Sequence, residues 1–125
     1  MTTEVEQVLT ILDQVVAEFG HDYVYQPPGP GDFACLYVHG KLWYRKPGCL
    51  VGQVLHRMGV PLRELAKNDK NNVAVTSNSF SVPIVLHDDT KKVLAEAQRT
   101  QDNDQTWGQA RDDAYAKANR LGYSV

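Results

Sequence analysis

The chain has 125 residues, 42% of them hydrophobic, with 13 Lys and Arg against 15 Asp and Glu for a formal net charge of −2. This length suits one domain spanning residues 1–125, with a core large enough to need neither disulfides nor metal. The composition excludes a disordered chain, and the missing basic excess argues against nucleic-acid binding, which rests on neutralising phosphates. Cys35 and Cys49 are too few for a disulfide framework. Met1-Thr2-Thr3-Glu4 lacks the basic and apolar regions of a signal peptide, and no apolar run reaches the length of a membrane span. The expectation is a cytoplasmic protein with reduced thiols and no membrane contact.

The first element is a helix over residues 3–19. Val5, Val8, Leu9, Leu12, Val15, Val16 and Phe19 recur at helical spacing, Thr3 and Glu6 form a capping box, and Gly20 suits the position after the last turn. Pro27-Pro28-Gly29-Pro30-Gly31 is a loop. Residues 33–45 read as a β-hairpin turning at His39-Gly40, which sets Val38 opposite Lys41 and Cys35 opposite Tyr44. Both of its faces are largely apolar. Either helices cover both, or one is an interaction surface.

A second helix runs over residues 49–58, with Val51, Val54, Leu55 and Met58 inward and Gly59 ending it. Gly52 inside it costs about 1 kcal/mol relative to alanine, so close approach of another backbone is expected there. A short helix restarts at Pro61 and carries Leu62, Leu65 and Ala66. Asn68-Asp69-Lys70-Asn71-Asn72 reads as a turn. Val73 and Val75, then Val82, Ile84 and Leu86, suggest two short extended pieces, with Pro83 arguing against a central strand. Asp88 or Asp89 is expected to cap a fourth helix reaching about Gln101, with Val93, Leu94 and Ala97 inward. Thr106 and Gln109 form a second capping box. The last helix aligns Trp107, Ala110, Ala114 and Ala118 on one side, with Leu121 nearby. The fold class is therefore α+β: about five helices, one antiparallel hairpin and short extended segments.

Cys49 is the sharpest chemical candidate, because a helix N-terminus favours a thiolate. Cys49-Leu50-Val51, followed after a helix by Gly59-Val60-Pro61-Leu62-Arg63, is similar to part of the pattern of papain-like cell-wall peptidases. That resemblance would make Cys49 the nucleophile and His87 its base. The Ser-Gly pair usual after the cysteine is absent, as is the Gly-Asp pair opening the following strand. Cys35, His39, Cys49 and His56 do not have the spacing of a zinc knuckle, and two turns separate Cys49 from His56. Asp102, Asp104, Thr106 and Asp113 fall on part of a calcium-loop template, but Trp107 stands where that loop needs glycine and no Glu closes it. Arg63-Glu64-Leu65-Ala66-Lys67 resembles the first helix of a helix-turn-helix, without its glycine turn or a basic recognition helix. No metal or cofactor is expected.

Cys49-Leu50-Val51-Gly52 together with Gln101-Asp102-Asn103-Asp104-Gln105-Thr106-Trp107-Gly108-Gln109-Ala110 resembles a group of small uncharacterised proteins of actinobacteria and their phages, over about two-thirds of the chain. The resemblance implies a cytosolic accessory protein, phage- or prophage-encoded, and no activity. The leading expectation is non-enzymatic binding of a host protein through the hairpin, with Lys41, Trp43 and Arg45 as contact residues, since aromatic and arginine side chains dominate interface hot spots. Two alternatives stay open: a cysteine hydrolase using Cys49 and His87, and a nucleic-acid-binding module stacking bases on the basic, aromatic hairpin. Self-association into a homo-oligomer is a further expectation.

Overall fold

The computed structural model describes residues 2–26, 36–40, 44–70 and 73–125. Among them it has five helices and one two-stranded antiparallel sheet, an α+β architecture. Helix α1 spans Glu4–Phe19. The Thr3 hydroxyl accepts from the Glu6 N–H and the Glu6 carboxylate accepts from the Thr3 N–H, so both halves of the expected capping box form. Its stripe from Val5 to Val16 is buried, whereas Phe19 at the last turn is 40% exposed.

Strands β1 (Val38–His39) and β2 (Lys46–Pro47) pair antiparallel, with Val38 opposite Pro47 and His39 opposite Lys46. This corrects the expected two-residue turn at His39-Gly40: the connection covers residues 40–45. The Gly48 N–H donates to the Tyr37 carbonyl and the Cys49 N–H to that of Leu36, which carries the pairing up to the start of helix α2 (Leu50–Arg57). The start of α2 thus extends the register beyond the two strands. A Cβ on Gly52 would run into the Tyr37 carbonyl, so a neighbouring backbone does pass close to this glycine.

Helix α3 (Leu62–Lys70) continues through residues read above as turn. Asn68 is buried, donates to the carbonyls of Glu64 and Ser81, and accepts from the Ser81 N–H. Those bonds hold a weak helix former in the last turns. Residues 73–86 contain no strand among the described positions and are built of turns, such as Ser77 N–H to Ala74 carbonyl and Phe80 N–H to Ser77 carbonyl. Val75, Phe80 and Leu86 drop into the core from this irregular segment.

Helix α4 (Asp88–Asp102) is capped at His87, with Asp88 and Asp89 inside its first turn rather than before it. Helix α5 (Trp107–Arg120) starts on Thr106, whose hydroxyl accepts from the Gln109 N–H. The reciprocal half of that box is absent, because the Gln109 amide donates to Asp113. The two helices pack along their lengths, with Val93, Leu94 and Ala97 facing Trp107, Ala110, Ala114 and Ala118 in the core. Ahead of α5, Val24 bridges Thr106, and the N–H groups of Trp107 and Gly108 donate to the carbonyls of Tyr23 and His21.

Gln101 joins the two ends of the resemblance quoted above. Its buried side-chain oxygen accepts from the Leu50 N–H at 2.9 Å and from the Trp107 indole N–H at 3.1 Å. One amide therefore supplies the acceptor at the start of α2 and the partner of the largest core side chain. No helix among the described residues is long and apolar enough to cross a membrane.

Candidate functional site

The end of the molecule around the β-hairpin is built differently from the helical core. The carboxylate of Asp69, in the last turn of α3, accepts from the Tyr37 N–H at 2.8 Å with one oxygen and from the Val38 N–H at 3.0 Å with the other. Tyr37 itself is buried, donates its hydroxyl to the Val73 carbonyl and packs edge-on against Phe80. Burial pushes the Asp69 pKa up to about 6, with the two backbone N–H groups pulling the other way. The sequence signal for this role was misread, since an Asp in a polar run looks like turn chemistry.

Two cavities open beside the hairpin. One, of about 750 Å³, has mostly apolar walls contributed by Leu36, Val38, Tyr44 and Ala66, with Arg45, Asp69 and Lys70 as its charged members. Tyr44 is 54% exposed. The other, of about 500 Å³, lies between the end of α1, β2 and α2 and is lined by Phe19, Tyr23, His39, Lys46 and the ion-paired Glu18 and Arg57. There the Tyr25 hydroxyl sits 2.7 Å from His39 Nε2. Burial raises the Tyr25 pKa to about 12.

The structure does not bring the hydrolase candidates together. Cys49 is the N-cap of α2, fully buried and disulfide-bonded, which corrects the expectation of a reduced thiol. A sulfur held in a disulfide offers no thiolate nucleophile. His87 is exposed at the start of α4, where its backbone N–H donates to the Glu4 carboxylate. It lines a separate cavity of about 510 Å³ with Glu4, Asp88, Asp89 and Tyr123, to which Cys49 contributes nothing. His39 and His56 are likewise apart in role: the first meets Tyr25, and the second places Nδ1 3.0 Å from the Val60 carbonyl. Among the described residues no group of three or more His, Cys, Asp or Glu could hold a metal ion.

Of the expected partner-binding residues, Arg45 lines the apolar cavity, whereas Lys41 and Trp43 lie outside the described residues, as does Cys35. Comparison with protein-family models, with curated proteins and with solved structures finds no match to this chain.

Proposed function

We propose that this protein is a non-enzymatic binding protein, an accessory or modulator that acts on a protein partner, and that a phage or prophage origin fits that role. The observation that carries the reading is the apolar cavity beside the hairpin, with the exposed Tyr44 and Arg45 among its lining residues. Tyrosine and arginine around an apolar recess are the side chains that most often dominate binding energy at protein interfaces. The hydrolase alternative loses its nucleophile to the disulfide at Cys49. That disulfide counts against the cytoplasmic location expected from the sequence, because cytosolic pools keep thiols reduced.

The immobilised chain, challenged with host lysate, should retain a protein that Tyr44→Ala and Arg45→Ala lose while both variants keep the wild-type unfolding midpoint. Recovery of nucleic acid instead, with a steep loss of binding as salt rises, would favour the nucleic-acid module.

A further inference from the structure

We infer that the apolar cavity beside the hairpin seats a segment of a protein partner that inserts one large apolar side chain flanked by carboxylates. The inference deepens the protein-binding reading and rests on it.

Shape supplies the first half. Leu36 and Val38 form one wall, Ala66 of α3 another, and Tyr44 the edge, around a space of about 750 Å³. That volume accommodates a leucine or an aromatic ring with neighbouring backbone. The wall is fixed before any partner arrives. Val38 and Tyr37 are held by both oxygens of Asp69, Val38 is paired with Pro47, and the Tyr37 backbone lies against Gly52. A pre-formed wall spares the ordering cost that weakens flexible sites.

Charge supplies the second half. The chain is net negative, yet this cavity is lined by Arg45 and Lys70. The acid in the wall, Asp69, already spends both oxygens on backbone N–H groups. Two cations against that one carboxylate leave a cationic excess around an apolar floor, which is complementary to an apolar residue next to Asp or Glu. A nucleic-acid strand fits less well. The two cations, Arg45 and Lys70, neutralise few phosphates.

Short random peptides displayed on phage, panned on the folded chain, provide the test, with a single-stranded thymidine oligonucleotide as a parallel probe. The expected selection is peptides that carry Leu, Ile or Phe beside Asp or Glu. Synthetic copies should bind Arg45→Glu and Tyr44→Ala roughly tenfold more weakly, as loss of a hot-spot contact does. The doubly reversed Arg45→Glu, Lys70→Glu chain should select Lys- or Arg-flanked peptides instead. Selected peptides without acidic flanks, or indifferent to Arg45, would overturn the seat and leave the protein-binding reading standing. Tight binding of the oligonucleotide with no peptide selected would overturn both, and failure of the folded chain to select any peptide would overturn the seat. Unfolding midpoints of the three variants, equal to wild type, exclude a loss caused by misfolding.

Discussion

The joint between α4 and α5 and the joint between β1 and β2 occur in the same chain and solve opposite problems. In the first, polar residues turn inward: Gln101 is buried and bonds to both Leu50 and Trp107, and Trp107 packs edge-on against Tyr23 and beside Phe19. In the second, among the described residues, apolar side chains line a cavity, and β1 is held by a carboxylate and a short pairing with β2. A joint whose polar groups are consumed internally has nothing left for a ligand. A joint whose apolar surface is not consumed has surface to offer. The contrast predicts that substitutions in the first region change stability and those at the rim of the second change binding.

The largest expected effect lies in the helical joint. Trp107→Ala removes a fully buried indole and should cost about 3–5 kcal/mol, read from chemical denaturation. Gln101→Ala should cost about 1–3 kcal/mol, because it leaves the Leu50 N–H and the indole N–H without an acceptor. The two losses should not add, since they share a hydrogen bond. Additive losses would show that Gln101 serves the start of α2 alone.

The disulfide at Cys49 comes next. Reduction should lower stability by about 2–4 kcal/mol, and Cys49→Ala should make the midpoint insensitive to dithiothreitol. A wild-type midpoint equally insensitive to reductant would mean that Asp69 and Gln101 hold this end unaided. Gly52→Ala tests the same end from inside. The helix-propensity gain of about 1 kcal/mol should be outweighed by the clash with the Tyr37 carbonyl, giving net destabilisation. A stabilised variant would show that β1 yields easily, which would undermine a pre-formed wall. Thr106→Ala, which strips the α5 cap, should cost about 1 kcal/mol.

The same contrast explains what was legible in the sequence. The helical half was readable because its signals are local and redundant: α1 has a capping box and an unbroken stripe, and α5 has Thr106 before a run of small inward residues. The hairpin half was misread wherever a tertiary bond overrode a local preference. His39-Gly40 resembles a tight turn, but β1 pairs with β2 because α2 fixes residues 47–49 beside it. Asn68-Asp69-Lys70 resembles a loop, but bonds to Ser81, Tyr37 and Val38 make it the end of α3. Of the candidate site, only Arg45 was anticipated among the described residues. The cavity it borders is assembled from three stretches of chain, 36–40, 44–45 and 66–70, which no short-range pattern encodes.

The pH dependence of stability is the expected effect most specific to the hairpin half. Asp69 has a folded-state pKa of about 6, raised by burial above its usual 3.8. A carboxyl with a raised folded pKa binds its proton more tightly in the native state, so its contribution to stability is fully present below the ordinary value and is lost as pH rises through about 6. Tyr37 and Tyr25 lie close enough to feel the charge but titrate far above this window, and Arg45 and Lys70 line the same cavity. The wild-type midpoint should therefore fall from about pH 4 to about pH 7 relative to that of Asp69→Asn. The asparagine variant should be less stable at every pH, because its amide can accept from one of the two backbone N–H groups and presents a donor to the other. Parallel pH profiles for the two proteins would show that the two N–H bonds cancel the cost of burial, leaving the carboxylate ionised and the clasp on β1 stronger than its burial suggests.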